Sequence, residues 1–499
     1  MPASDAGATH PTYGNWRRPR RAGLGPLGLV GTVAVFAALV LALLVSLASL
    51  VAAIGLLVPV AVLLLPLIVR TQDGRNLYQL AALRIGWRRR KARGEHLYAS
   101  GPLSRRPGGR FRPPGLLSRV RMAEGRDAYG RPFGVLHHPD RNLYTIVLGC
   151  EPDGGSLVDP DQIDVWVASW GDWLARLSHE PQLRGAGVVV ETAPDPGTRL
   201  ALEVLPQIRE DAPPVARAVM EEVVQRYPAA SSEMHTYIAL TYGFPDGRRR
   251  GTEEIVTDLA LRVPGLLAGL VGAGGGSAAP LSAEQIAELT RVAYDPAVAP
   301  DVLTARAGAG GTGLEWEDAG PAAAVETAGA YHHDSGVSRT WLLTLAPRGT
   351  VRSNVLRGML EPAPGTRRKR VALLYRPIDP ATSARIVEAD RRAAQFTATS
   401  GKGMVQARAA SEMRAAEQTA AEEAAGAGLV EFSLMLTATV DSADQLADAT
   451  TTLRNLQASA RVSMRPADRM QAAAFTCTLP LGILPWEHVL LPRQLQEAL

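Results

Sequence analysis

The side chains of this sequence that could bind a metal or transfer a proton are two histidine pairs, each followed closely by an aspartate. These are His137, His138 and Asp140, and His332, His333 and Asp334. Adjacent residues of a strand point to opposite faces, so each pair offers one ligand to a given site, and the chain contains no HExxH motif. We interpret both pairs as loop histidines. If the chain is an enzyme with a dispersed site, His332, His333 and Asp334 are the first residues to test.

Two glycine-rich stretches partly match phosphate-binding loops. Gly308, Gly310 and Gly313 satisfy the pattern GxGxxG, but the preceding strand and following helix that a dinucleotide site requires are weak in the sequence. Ser400–Gly403 contains the Gly-Lys step of a P-loop, but Phe396 stands where that loop needs its first glycine. We expect both stretches to be ordinary loops, and we predict no cofactor.

The chain has few candidate nucleophiles. Its two cysteines, Cys150 and Cys477, lie in separate apolar, strand-like runs, and no CxxC or GxSxG motif is present. This usage is typical of a protein in a reducing compartment and argues against a disulfide framework. We therefore assign no catalytic, cofactor-binding or metal-binding residue and expect a protein that is not an enzyme.

An uncharged block from Pro26 to Val69 is the most distinctive stretch of the chain. One helix of that length would measure roughly 65 Å, about twice the hydrocarbon thickness of a membrane. The block therefore predicts two spans, Leu27–Leu47 and Leu50–Val69, folded into a transmembrane hairpin. Arginines flank both ends, which by the positive-inside rule places both termini in the cytoplasm. The expectation is a multi-pass protein of the cell membrane.

The charge is unevenly distributed along the chain. The first 131 residues hold 20 Lys and Arg against 5 Asp and Glu, whereas the remainder is acidic, and the whole carries a formal net charge of +4. A basic segment after a membrane span favours anionic lipid headgroups as a partner over nucleic acid, which the acidic remainder would repel. Within it, Asn76–Lys91 has the spacing of either an interfacial amphipathic helix or a helical linker.

Composition divides the chain into six segments. They are a basic tail (1–24), the transmembrane hairpin (25–70), a basic juxtamembrane helix and linker (71–131), a first α+β subdomain (132–270), a helical, Gly-rich connector (271–336) and a second α+β subdomain (337–499). In the first subdomain the pattern predicts strands at Leu143–Cys150, Gly187–Thr192 and Met234–Tyr242. It also predicts a helix to Ser178, with Asp159 as its N-cap and Pro160 in its first turn.

The second subdomain repeats this alternation of strands and helices. Leu429–Val440 alternates like a half-buried strand, and Asp441 caps a helix that runs to Ala458. The Gly/Ala run Gly272–Ala279 is predicted to be a flexible joint. The fold class we expect is α+β with the N-terminal hairpin and ferredoxin-like β-α-β units in the soluble region.

These patterns resemble a known family. The run Phe432–Gly482, which ends in Leu-Pro-Leu-Gly, resembles the non-motor, N-terminal half of the large ATPases of conjugation-type (type IV) secretion, and Tyr331–Pro347 with Leu373–Pro380 resembles the strands before it. The N-terminal Tyr13–Trp16 and the hairpin are similar to the small two-helix inner-membrane component of that machinery. A second resemblance is to the EccE-type membrane subunit of type VII secretion.

The resemblance implies an actinobacterial secretion subunit without its own motor, because that family continues into a P-loop domain and this sequence shows none. We therefore expect a non-catalytic, membrane-anchored scaffold that docks a separate P-loop ATPase. Its expected partners are that ATPase, other secretion-system membrane subunits, anionic lipid headgroups and further copies of itself as a homo-oligomer. The alternatives are the EccE-like subunit of a type VII system and a membrane-tethered enzyme.

Overall fold

The computed structural model describes most of the chain after residue 74 and a shorter part before it. The described residues are 28–47, 74–102, 104, 110–152, 154, 158–227, 232–244, 251–308, 310–347, 349–400 and 404–488, with scattered positions between 11 and 16 and between 49 and 71. The fold is a mixed α+β structure built on one large antiparallel sheet.

The described strands number thirteen and all belong to this sheet. They are β1 (Leu97–Ala99), β2 (Arg121–Arg126), β3 (Pro132–His138), β4 (Leu143–Glu151), β5 (Leu183–Pro194), β6 (Ser232–Gly243), β7 (Ser277–Pro280), β8 (Ala323–Glu326), β9 (Tyr331–His333), β10 (Gly336–Leu345), β11 (Arg368–Pro377), β12 (Val430–Val440) and β13 (Ser463–Pro466).

Helices connect the strands and cover the sheet. The described α-helices are α1 (Gly28–Ser46), α2 (Leu77–Ala92), α3 (Pro160–Leu177), α4 (Thr198–Val204), α5 (Pro214–Arg226), α6 (Thr252–Leu270), α7 (Ala283–Tyr294), α8 (Ala299–Ala307), α9 (Arg357–Leu360), α10 (Pro380–Ser400), α11 (Met404–Ala424), α12 (Leu446–Ser459) and α13 (Gln471–Cys477).

The sheet consists of two halves with the same strand order. In the first half the order is β7–β4–β6–β5, and in the second it is β13–β10–β12–β11, with every neighbouring pair antiparallel. Each half is preceded by a two-strand extension, β2–β3 or β8–β9. The halves join where β5 pairs with β11. The connecting helices correspond as well, because α3 and α6 of the first half occupy the places of α9 and α12 in the second.

The two halves also carry corresponding helical insertions. Helices α4 and α5 lie between β5 and β6, and helices α10 and α11 lie between β11 and β12. The elements that follow the last strand of each half correspond too, since α7 follows β7 and α13 follows β13. The fold is therefore an internal duplication in which each unit ends in a helix.

Apolar side chains cover both faces of the sheet. One face, which carries Val189 and Ala372, packs against α7 and the C-terminal segment 471–484. The opposite face packs against α3 and α6 in the first half and against α12 in the second. In α6 the residues Ile255, Leu259 and Val263 recur at intervals of four and are buried, so this helix has the apolar face that packing on a sheet requires.

The multi-pass prediction is wrong. Among the described residues, one helical stretch is long and apolar enough to cross a membrane, Thr252–Gly275, and this stretch is α6 with the turn that follows it, packed in the core. The uncharged block contributes α1, in which the apolar stretch found is the shorter Val35–Ser46. The predicted second span, Leu50–Val69, lies mostly outside the described residues. The two spans were predicted from the length and composition of the block, which do not show how much of it forms one continuous apolar helix. The placement of both termini in the cytoplasm depended on two crossings and is therefore wrong as well.

Residues 271–336, predicted as a connector, contribute to the sheet. Val271–Gly275 forms a π-helical turn after α6, and β7 then pairs with β4, where Pro280 lies opposite Leu148. Gly276 has a φ of +58°, and a Cβ there would lie 2.0 Å from the carbonyl oxygen of Glu151. The glycines predicted to form a flexible joint therefore let the chain turn tightly against a neighbouring strand.

Candidate functional site: buried polar clusters on the sheet

The histidine at the end of β9 is part of a buried hydrogen-bond chain. Nδ1 of His333 lies 2.6 Å from the carbonyl oxygen of Tyr294, and Nε2 lies 2.7 Å from Oγ of Ser338. Oγ of Ser338 lies 2.7 Å from Oγ1 of Thr439 on β12. A carbonyl only accepts, so Nδ1 carries the proton and Nε2 accepts from Ser338. Burial lowers the pKa of His333 to about 4, which keeps the ring neutral.

The first half contains the corresponding arrangement at the end of β3. Nε2 of His138 lies 3.5 Å from Oγ1 of Thr145, which lies 3.0 Å from Oγ1 of Thr241 on β6. Burial lowers the pKa of His138 to about 4, partly opposed by a hydrogen bond to the backbone of Leu481. His138 is opposite Leu143 in the β3–β4 pair, and Thr145 is two residues further along β4.

The correspondence between the two histidines follows from strand register. His333 is opposite Gly336 in the β9–β10 pair, and Ser338 is two residues further along β10. Thr145 is opposite Thr241 in one half, and Ser338 is opposite Thr439 in the other. The two histidine–hydroxyl chains are therefore equivalent sites of the duplicated fold.

Each histidine is covered by the chain segment that follows the other half. Tyr294, which bonds to His333 of the second half, is the last residue of α7, after the first half. Leu481, which bonds to His138 of the first half, follows α13 at the end of the second half. Gly482 continues this contact, since its carbonyl lies 3.4 Å from Oγ1 of Thr241. This reciprocal exchange holds the two halves together.

The interpretation of both pairs as loop histidines is wrong, because one pair lies in β3 and the other in β9. The remaining members of the two groups have other contacts. His137 stacks on Tyr144, with ring centroids 4.4 Å apart, and Asp140 forms an exposed ion pair with Arg119 at 2.9 Å. Asp334 accepts from the backbone N–H of Ala322 at 2.8 Å and pairs with Arg291 at 3.1 Å. His332 is opposite Val337 and half-buried. The structure therefore disperses the His332–Asp334 group, and a common ligand site does not form there.

The Gly308–Gly313 loop is closed by a carboxylate. The backbone N–H groups of Thr312 and Gly313 each lie 2.8 Å from Oε1 of Glu284, and the hydroxyl of Thr312 lies at the same distance. In a phosphate-binding loop such amides point at the ligand. In this loop the amides donate to Glu284 instead, which supports the interpretation of the stretch as an ordinary loop. Residues 401–403 of the other glycine-rich stretch lie outside the described residues.

A buried ionic cluster lies at the junction of the two halves. Glu191 on β5 is opposite Arg370 on β11, and its carboxylate accepts from both Arg370 and Arg368. Burial alone would raise the pKa of Glu191, but the charges of Arg370 and Arg368 outweigh it and lower the pKa to about 2. The Arg370 guanidinium lies 5.3 Å from the centroid of the Phe475 ring, so α13 covers the cluster.

Sequence reasoning missed this cluster. A detectable signal was the run Arg368–Arg370 at the start of a strand that is otherwise apolar to Tyr375. Consecutive charges at the start of a strand usually indicate an exposed end, whereas here the pairing with β5 buries them. Glu191, a single acid within a valine-rich strand, was the matching signal, but register between distant strands cannot be read from sequence alone.

The described residues offer little support for metal binding or for thiol chemistry. Among the described residues, no group of three or more His, Cys, Asp and Glu side chains is arranged to hold a metal ion. Cys150 and Cys477 are buried, and burial raises the pKa of their thiols to about 11 and about 12. Both thiols are therefore protonated and inert near neutral pH.

Residues 20–79 match a family described as a domain of unknown function, DUF8461. The matched segment includes α1 and the start of α2 and ends before the sheet. No curated protein matches the chain.

Proposed function

We propose that this chain is a non-catalytic scaffold subunit of a type IV-like secretion or conjugation apparatus, held at a membrane and docking a separate P-loop ATPase. The observation that carries the proposal concerns α1, an apolar helix with exposed side chains. The segments before and after it both contact the α+β body. The alternative of an EccE-like subunit of a type VII system shares the membrane attachment and differs in the partner captured.

Helix α1 has the surface of a helix that contacts lipid. It contains no charged residue. Large apolar side chains are exposed at several positions around it, among them Val33 (58%), Phe36 (56%) and Leu43 (67%). Water-exposed apolar surface of this extent costs roughly 25 cal/mol per Å², which burial in lipid would remove. We assign α1 to the membrane as an embedded helix.

The segments before and after α1 both contact the body. Before it, Tyr13 exchanges two backbone hydrogen bonds with Val351, at 2.8 and 2.7 Å, and the ring of Trp16 lies 5.3 Å from that of Phe432. After it, Arg90 of α2 pairs with Glu326 at 3.1 Å. An embedded α1 would therefore hold the body close to the lipid surface.

We also propose that each half of the sheet is a ferredoxin-like unit. Numbering the four strands of each half in chain order, both halves have the order 4-1-3-2 with antiparallel neighbours, and helices join strand 1 to 2 and strand 3 to 4. This order supports the resemblance to the non-motor half of the secretion ATPases. The helical insertions α4–α5 and α10–α11 distinguish the units from a minimal ferredoxin-like fold.

The placement of the polar side chains supports a structural role. His138 is buried under the segment that follows α13, His333 is buried under α7, and both are bonded within the protein. The Glu191 cluster is buried as well. A general acid or base must reach its substrate within hydrogen-bond distance. Groups that are buried and already paired contribute to folding and to the junction of the two halves.

Helix α5 offers a surface for the ATPase. Val215, Val219 and Val223 recur at intervals of four and are 76%, 51% and 42% exposed. Such an apolar stripe on a surface helix is typical of an interaction site. Glu222 and Arg226 lie beside the stripe and pair with each other at 2.9 Å. The stripe is therefore flanked by charges of both signs, which suits a protein partner better than a lipid surface.

The test is affinity purification of the tagged full-length chain from detergent-solubilised membranes of its native host. We expect a P-loop ATPase without its own non-motor half to co-purify, and the V219E variant to lose it. The matched control is L261E, which changes an isolated apolar residue of α6 that is 74% exposed. Purification without an ATPase would overturn the proposal, and capture of type VII subunits would favour the EccE-like alternative.

A further inference from the structure

We infer that the outer face of α2 binds the headgroup layer of an anionic lipid bilayer, oriented by the ion pair between Arg90 and Glu326. This inference rests on the proposed membrane attachment and deepens it, because it names the lipid class and the residues. It concerns the helix that follows the uncharged block in the chain.

One face of α2 is docked on the body. Its partly buried residues follow the spacing of a single helical face. They are Leu80, Leu83, Gly86, Trp87 and Arg90. Arg90 pairs with Glu326, which is 4% exposed and also accepts from the backbone N–H of Ala472 at 3.3 Å. A second nitrogen of Arg90 donates to the carbonyl of Arg469. Arg90 therefore fixes the rotation of the helix about its axis.

The outer face of α2 carries charges of one sign. Arg84, Arg88, Arg89 and Lys91 are exposed and form no ion pair with any described residue. The helix contains no acidic residue. At about 100° per residue, Arg88 and Arg89 are about 140° and 120° from Leu83 at the middle of the docked face, so they point away from the body. Arg84 and Lys91, about 100° and 80° from Leu83, lie on the flank of the helix. The result is a concentrated positive surface on an element that needs no rearrangement to bind.

Apolar side chains lie among these cations. Leu77 is 42% exposed and Ile85 is 48% exposed. At about 100° per residue, Ile85 is about 160° from Leu83, the middle of the docked face, and Leu77 is about 120° from it. Ile85 therefore lies on the outer face and Leu77 at its edge. Cations with interleaved aliphatic side chains match a lipid interface, where charge meets headgroups and the aliphatic groups enter the acyl boundary. Nucleic acid would use the cations and leave Ile85 in water. The composition of the face therefore favours lipid.

The test uses the full-length chain with a single reporter on this face. I85C is labelled with an environment-sensitive fluorophore, which is selective because Cys150 and Cys477 are buried. The labelled chain is then reconstituted in vesicles of phosphatidylcholine alone, or of phosphatidylcholine mixed with phosphatidylglycerol, so that attachment through α1 is the same in both. We expect a blue shift of the emission with the anionic vesicles only, reversed by high salt. The R84Q/R88Q/R89Q variant should lose the shift.

A matched control changes three arginines elsewhere on the surface. R199Q/R209Q/R226Q removes the same charge from the α4–α5 region and should retain the shift. The role of Arg90 in positioning is read from a second reporter, L83C, on the inner face. This reporter should stay silent with vesicles in the wild-type background and respond in R90Q, because the helix is then free to rotate.

Three results would overturn the inference. They are an equal shift with both kinds of vesicle, a shift in the R84Q/R88Q/R89Q variant, or a shift produced by a DNA duplex in place of vesicles. The outcome is separable from that of the proposed function, since vesicles contain no ATPase. A chain that captures no ATPase but shows the anionic shift would retain the lipid surface and lose the scaffold role.

Discussion

Nε2 of His333 lies 2.7 Å from Oγ of Ser338, and both side chains are buried at the end of one hairpin of the sheet. Because the histidine is neutral and bonded on both nitrogens, removing it leaves the Tyr294 carbonyl without this partner and the Ser338 hydroxyl with Thr439 alone. We predict that H333A lowers the free energy of unfolding by about 2–4 kcal/mol, measured by chemical denaturation.

The neighbouring histidine is the control for that substitution. H332A changes a half-buried residue on the other face of the strand and should cost less than about 1 kcal/mol. Equal stability of H333A and H332A would show that the buried hydrogen-bond chain contributes nothing.

The same histidines predict a dependence of stability on pH. The folded pKa values of His138 and His333 are about 4, below the ordinary 6.5, so the unfolded chain binds more protons between these values. The stabilising effect of the neutral rings is complete above pH 6.5 and is lost as the pH falls towards 4. Each histidine should contribute a slope of up to about 1.4 kcal/mol per pH unit in that window.

Urea denaturation at a series of pH values tests this slope. The H138Q variant should lower the slope by up to about 1.4 kcal/mol per pH unit, because its buried ring no longer titrates. The half-buried H332Q variant is the control. An unchanged slope in H138Q would show that other groups account for the acid sensitivity of the protein.

The ionic cluster predicts a large effect from a single charge. E191Q removes the carboxylate that faces Arg368 and Arg370 and leaves two buried guanidinium groups without a counter-charge. We predict a loss of about 3–5 kcal/mol in unfolding free energy. The triple variant E191L/R368M/R370M should recover most of this loss, since it removes all three charges together.

An exposed ion pair is the matched control for E191Q. Asp211 pairs with Arg209 at 2.7 Å on the surface, where solvent screens the interaction. D211N should leave stability unchanged. If E191Q and D211N behaved alike, the junction of β5 and β11 would not depend on its buried charges.

Gly482, in the segment that follows α13, predicts a steric effect when a side chain is added there. Gly482 has a φ of +72°, and a Cβ there would lie 2.0 Å from Oγ1 of Thr145. We predict that G482A destabilises the fold by more than about 2 kcal/mol, through both backbone strain and the clash. Gly426 has a φ of +99° with open space around it. G426A should therefore show the strain alone, about 1 kcal/mol, and similar losses would contradict the close contact.

Local elements of the fold were predictable because their signals are local. The helix after Asp159 forms as Pro160–Leu177, with the Asp159 carboxylate accepting from the N–H of Asp161. The strand predicted at Leu429–Val440 forms as Val430–Val440. A cap residue and an alternation of period two act within a few residues, so one sequence is sufficient to read them.

The relationships between distant segments were not predictable in this way. The pairing of β5 with β11 places Glu191 beside Arg370, and α7 and the C-terminal segment exchange places over the two histidines. The two residues of the ion pair are more than 150 positions apart in the sequence. The two-span prediction failed because it was made from the length and composition of the uncharged block, whereas the apolar helical stretch found there among the described residues is the shorter Val35–Ser46.

The most direct test of the proposed membrane attachment is to measure whether α1 lies in lipid. F36C and L43C in the full-length chain, reconstituted in lipid vesicles, should resist a water-soluble thiol reagent and react after SDS dissolves the vesicles and unfolds the chain. V219C on the exposed face of α5 should react at once, while Cys150 and Cys477 stay unreactive because they are buried. Rapid labelling of F36C and L43C in intact vesicles would contradict membrane attachment through α1.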